Sequence, residues 1–205
     1  MQFIKQQRNQ ETGIAKSFDT MKLQDFILAL PYQLTKDQQT SIKEIIEDLK
    51  SSQMMYRFLQ GDVGSGKTVV SSVALYANYL AGYQGALMAP TEILAAQHYA
   101  TLCDFFKATD VKIALLTGSL SMKEKNQLYE EISHHEIDIV VGTHALFQKK
   151  VEYASLGFVI TDEQHRFGVE QRKALKNKGK QVDFLIMSAT PIPRTLAISM
   201  YGDMD

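Results

Sequence analysis

Six short apolar runs, at 56–59, 86–89, 111–116, 137–141, 158–161 and 184–187, recur along the chain, separated by segments long enough for helices. Runs that are nearly continuously apolar predict strands buried on both faces, and such strands belong to parallel sheets covered by helices. The expected fold is therefore α/β, with a mainly parallel central sheet and helices on both of its faces. In that architecture ligands gather beyond the carboxyl ends of the strands, so the residues just after each run are where chemistry is to be sought.

At 205 residues the chain suits one well-buried core. Hydrophobic residues make up 45% and charged residues 22%, a balance that argues against extended disorder. The net charge of -1 excludes the strongly basic character of a small dedicated nucleic-acid module, so any phosphate-binding surface has to be local. Cys103 stands alone, which rules out an intrachain disulfide and a Cys-rich zinc site and fits a reducing, cytoplasmic compartment. Nowhere do 18 uninterrupted apolar residues occur, and the start carries no secretory pattern, so no membrane insertion is expected.

Ahead of the first strand, Ile14, Phe18, Met21, Phe26 and Leu30 recur at roughly helical spacing until Pro31, predicting a leading helical arm over 1–30. A second helix is expected from Thr35, because Ile42, Ile45, Ile46 and Leu49 form one stripe. Thr35 and Gln38 have the spacing of a capping box at its start.

The loop after the first strand reads Gly61-Asp62-Val63-Gly64-Ser65-Gly66-Lys67-Thr68, a G-x-x-x-x-G-K-T pattern between a strand and a helix. Gly64 and Gly66 allow the backbone to fold around a phosphate, and Gly61 and Ser65 complete the cradle. Lys67 is expected to reach the β and γ phosphates, and the Thr68 hydroxyl to hold Mg²⁺. A second strand, 158–161, ends in Asp162 and Glu163. Asp162 is placed to bind Mg²⁺ beside the phosphates and Glu163 to activate water, which together predict nucleotide hydrolysis in a P-loop NTPase domain.

Further strand ends carry Ala89-Pro90-Thr91-Glu92, Val141-Gly142-Thr143-His144 and Ser188-Ala189-Thr190-Pro191. With the phosphate loop and Asp162-Glu163-Gln164-His165 they fall in the order of the superfamily 2 helicase motifs. Over about residues 31–205 the chain resembles the RecG-type ATP-dependent DNA helicases, through GDVGSGKT, MAPTEILAAQH, DEQHRFGVEQR and SATPIPRTLA. It is also similar to the transcription-repair coupling factor, a duplex-DNA translocase that usually has DEEH where this chain has Gln164 in the third place.

The resemblance implies a first RecA-like motor domain over 31–205, with residues 1–30 as a connector, acting on branched or duplex DNA. A second RecA-like domain and a DNA-recognition domain are expected outside this chain. Since the second domain would contribute arginines, the isolated chain is expected to hydrolyse ATP weakly.

The resemblance also assigns roles to single positions. Gln38 matches a glutamine that reads adenine, and its capping role is the alternative. Thr91, Gln97, Thr143 and His144 fall in motifs that touch the DNA backbone, and helix caps or surface polar groups are the alternative for each. Ser188 and Thr190 match the motif that couples hydrolysis to movement, toward Gln164 or His165. The stretch from Arg166 through Arg172 to Lys180 is either a solvated helix face or a DNA contact. His165 lacks ligand-spaced partners for a metal, and Glu163 already fills the base position. His134 and His135 are expected to be ordinary exposed residues of a polar turn. A nucleotide switch without hydrolysis is the other class of function, and it would not require Glu163.

Overall fold

The computed structural model describes residues 12–162 and 181–189. Its elements run α1 (Thr20–Leu28), α2 (Lys36–Leu49), β1 (Tyr56–Gln60), α3 (Lys67–Leu80), β2 (Gln84–Met88), α4 (Glu92–Phe106), β3 (Ile113–Leu116), α5 (Met122–Ser133), β4 (Ile139–Gly142), a short 3-10 helix (His144–Phe147), β5 (Leu156–Asp162) and β6 (Asp183–Ser188). The six strands among the described residues are all parallel, in the spatial order β1-β6-β5-β2-β4-β3. The expected parallel α/β sheet is thus present.

Successive side chains of a strand point to opposite faces, and the two cores follow from that. Phe158 and Ile160 of β5 pack with Leu49, Val73, Leu75 and Leu102 beneath the helices α1 to α4. Val159 packs on the other side, with Leu128, Ile132, Leu146 and Phe147 of α5 and the 3-10 helix. The middle of α3, from Val69 to Asn78, is buried all round. A helix with no polar face belongs in the interior, and α3 lies between the sheet and the pair α1 and α2.

The leading arm is shorter than its apolar spacing predicts. Among the described residues helix begins only at Thr20, where the Asp19 carboxylate accepts from the backbone N–H of Met21 and Lys22. Residues 13–19 form no helix, because their backbone is bonded elsewhere: Gly13 N–H donates to Ser52 O at 2.8 Å, Lys16 N–H donates to Leu49 O at 2.9 Å, and Thr12 bridges Gln53. Helix α1 then buries Leu23 and Phe26, and Phe26 stacks on Tyr76 of α3 with ring centroids 4.3 Å apart.

Helix α2 starts as expected. Gln38 N–H donates to the Thr35 hydroxyl at 3.3 Å and Thr35 N–H donates to Gln38 Oε1 at 2.9 Å, a complete capping box. Replacing Thr35 with alanine is expected to cost about 1 kcal/mol of stability in chemical denaturation, with Thr35→Ser close to the parent. An equal loss for both variants would mean that the hydroxyl is not the cap.

Strand β2 begins two residues before its apolar run, at a buried glutamine. Gln84 Nε2 donates to Ile132 O and Ile137 O at 2.9 and 2.8 Å, while Oε1 accepts from Ser155 N–H. A fully bonded amide is tolerated in a core, which hydropathy alone does not register. His134 ends α5 and is exposed, but His135 is half-buried at φ 58° with Nδ1 3.2 Å from the Ser155 hydroxyl, so it is not the ordinary surface residue expected. Among the described residues no helix is long and apolar enough to cross a membrane.

Candidate functional site

The strand register lines up the carboxyl ends. Gln60 lies opposite Ser188, Asp162 opposite Met187, Met88 opposite Thr161, and Gly142 opposite both Met88 and Leu116. One edge of the sheet therefore carries, in spatial order, the 61–67 loop, Ser188, Asp162, the 89–91 turn, the 142–144 turn and the 117–119 turn.

The loop after β1 is anchored by Gly61 N–H donating to Ser188 O at 3.1 Å, and it turns through Ser65 N–H to Asp62 O at 3.0 Å. Gly64 and Gly66 have φ of 81° and 83°, a left-handed geometry in which side chains are strained. A Cβ on Gly66 would also meet the amide nitrogen of Gln38. Gln38 Nε2 donates to Ser65 O at 2.9 Å, so this residue caps α2 and braces the loop at once.

Lys67 is the first residue of α3, and its ammonium donates to Gly61 O at 2.6 Å and Asp62 O at 2.9 Å. Helix geometry leaves the first N–H groups of α3 without intrahelical partners, and the helix dipole favours an anion there. Left-handed glycines, an ammonium and a helix N-terminus are the chemistry of a phosphate cradle.

Asp162 is the last residue of β5 and lies two strand spacings, about 10 Å, from the strand that feeds the loop. Its Oδ2 lies 2.6 Å from Nε2 of His98 on α4, and the two side chains are 16% and 12% exposed. The site thus brings an ammonium, the Thr68 hydroxyl and a carboxylate to one edge, a donor set that fits a triphosphate with a hard divalent cation. Among the described residues no cluster of three or more His, Cys, Asp or Glu could hold a metal. Mg²⁺ does not need one, since it binds through one or two carboxylates together with phosphate oxygens.

The other strand-end residues sit farther along the same edge. Thr91 is exposed and caps α4, accepting from Leu94 N–H at 3.3 Å. Gln97 and His144 are exposed, whereas Thr143 is 7% exposed and its carbonyl accepts from Leu146 N–H. Ser188 is buried at the end of β6. Glu163, Gln164, His165, Thr190 and the basic stretch from Arg166 to Lys180 lie outside the described residues.

Two contacts were not singled out from the sequence. His98, which the sequence places only within the MAPTEILAAQH motif beside Gln97 and with no role of its own, shares a helix stripe with Ala95 and Leu102, both wholly buried, and a histidine on such a stripe was the available signal. Glu92 Oε1 accepts from Gly118 N–H at 2.7 Å and Lys125 Nζ donates to Gly118 O at 2.7 Å, which ties the 117–119 turn to the start of α4. No spacing in the chain announces that contact.

A parallel sheet with a phosphate-type loop after its first strand and a carboxylate on the next strand but one defines a P-loop NTPase fold. Residues 35–198 match the DEAD/DEAH box helicase family, and the chain belongs to it. It is 56% identical over 203 residues to the ATP-dependent DNA helicase RecG of Bacillus subtilis, covering 99% of this chain and 30% of that protein. The RecG of Thermotoga maritima is 49% identical over the full chain, which spans 26% of its length. Among solved structures, that of RecG bound to a three-way DNA junction superposes with a TM-score of 0.85 at 46% identity, covering 98% of this chain and 27% of that one. The chain thus spans under a third of these relatives.

Proposed function

We propose that this chain is the first RecA-like motor domain of a RecG-type DNA helicase, which binds and hydrolyses Mg-ATP to move on branched DNA. The observation that carries the reading is that the Lys67 ammonium and the Asp162 carboxylate lie at the same sheet edge, on strands separated only by β6. The likeness to RecG, whose solved structure holds a three-way junction, favours branched DNA as the polymer.

In this reading the loop N–H groups and Lys67 hold the phosphates, with Lys67 exchanging two carbonyls for phosphate oxygens. Thr68 and Asp162 would hold Mg²⁺, which neutralises charge on the phosphate oxygens. Gln38 reads the adenine while bracing the loop. Glu163, the next residue after Asp162, takes the proton of the attacking water, and Gln164, His165, Ser188 and Thr190 couple hydrolysis to movement. Thr91, Gln97 and His144, at the other end of the edge, meet the DNA backbone, with Thr143 positioning the turn. A second RecA-like domain of the same protein completes the ATP site, and the compartment is cytoplasmic.

Calorimetric titration of the 205-residue chain with Mg-ATP is expected to show one site. Binding of a labelled three-way junction is expected to weaken as salt rises, because phosphate contacts release counterions. A titration without heat and without thermal protection by Mg-ATP would end the motor reading.

A further inference from the structure

We infer that His98 is a positioning residue that fixes the Asp162 carboxylate for Mg²⁺; the inference rests on the nucleotide reading above. The imidazole is held from behind. His98 stands between Ala95 and Leu102 on the buried stripe of α4, both at 0% exposure, and its own side chain is 12% exposed. Helix α4 packs on β3 and β4, so the ring projects from a rigid support.

A carboxylate only accepts hydrogen bonds, so Nε2 is the donor in the 2.6 Å contact with Oδ2. Donation to one oxygen fixes the carboxylate's rotation and with it the direction of the second oxygen. Without that bond Asp162, at the end of its strand, would sample other rotamers, and the cation would bind a carboxylate that must first be ordered. Groups that hydrogen-bond a metal-ligating side chain are commonly worth roughly 10- to 100-fold in metal affinity.

The test is the Mg²⁺ concentration at half-maximal binding of a fluorescent ATP analogue by the 205-residue chain. His98→Phe keeps a ring of similar volume without a donor, and His98→Gln places an amide nitrogen at similar reach. The phenylalanine variant is expected to raise the half-point roughly tenfold, to regain near-parental nucleotide affinity at saturating Mg²⁺, and to differ from the glutamine variant, which recovers most of the loss. A purely structural contact would lower the melting temperature while leaving the half-point unchanged, and that result overturns the inference. Equal half-points in the two variants overturn it as well. Should His98→Phe fail to fold, a parental half-point in His98→Ala would do the same. Absence of analogue binding in the parent chain would remove the nucleotide reading itself, and the inference with it.

Discussion

Lys67→Ala is expected to weaken Mg-ATP binding by roughly two orders of magnitude while leaving the melting temperature of the unliganded chain nearly unchanged. The two halves of that expectation have separate causes. In the bound state the ammonium would donate to phosphate oxygens, and charge-assisted bonds contribute about 1.5–3 kcal/mol each, so the loss of about 3 kcal/mol corresponds to roughly a hundredfold in affinity. In the unliganded chain the same ammonium donates to Gly61 O and Asp62 O from a partly exposed position. Those carbonyls can bond water when the side chain is removed, and alanine is a good residue in the first turn of α3. Calorimetry and thermal melting on the same preparation separate the two. A parental Kd for the variant would show that the ammonium does not meet the phosphates, and a collapse of the melting temperature would show that it is a structural cation.

The largest effect on stability is expected far from that edge, at Lys16. Its ammonium is buried with Asp183, and the residues are 3% and 2% exposed. Lys16 Nζ also donates to Gly157 O at 3.0 Å, and Asp183 Oδ1 accepts from Met55 N–H at 2.7 Å. The pair therefore ties the 13–19 segment to the amino-terminal ends of β5 and β6. Lys16→Ala leaves a buried carboxylate without its cation, and breaking one side of such a pair costs about 3–5 kcal/mol, a fall of roughly 10 °C in melting temperature for a chain of this size.

The pH dependence identifies the cause. Burial holds the Asp183 carboxyl above its ordinary range, against the lowering effects of the Lys16 ammonium and the Met55 N–H. A carboxyl raised by folding contributes stability that is complete below its unfolded pKa and is lost as the pH rises through its folded pKa. Removing Lys16 raises the folded value further, so the deficit of the variant should widen from acid toward neutral pH and narrow on acidification. A deficit independent of pH across that window would assign the loss to side-chain packing alone. The double variant Lys16→Met with Asp183→Leu is expected to recover much of the stability, because a buried pair is often replaced by apolar groups without net cost.

These two sites differ in how far the chain announced them. The loop at 61–68 was legible because its pattern is local: the glycines, lysine and threonine proposed to cradle a phosphate fall within eight residues, and a strand and a helix flank them. The capping box of Thr35 and Gln38 is local in the same sense. Lys16 was read only as part of a helical arm, since the apolar spacing of Ile14 and Phe18 carries no sign of a carboxylate 167 residues away. His98 was given no role of its own for the same reason, its partner Asp162 being 64 positions distant. Strand starts were misread where a polar residue opens a strand, as at Gln84 and Asp183, because hydropathy cannot count hydrogen bonds.

Strand and helix alternation, the phosphate-type loop and the carboxylate after the fifth strand are properties of neighbouring residues, so the order of amino acids alone determined the α/β class and the chemistry of each strand end. The arrangement of those ends was decided only by tertiary structure. The last described strand, β6, inserts between β1 and β5, which places Asp162 near the loop of β1 and leaves the turns after β2, β4 and β3 at the other end of the edge. That sorting arises from parallel pairing between strands remote in sequence and from burial on both sheet faces, interactions that no local pattern encodes.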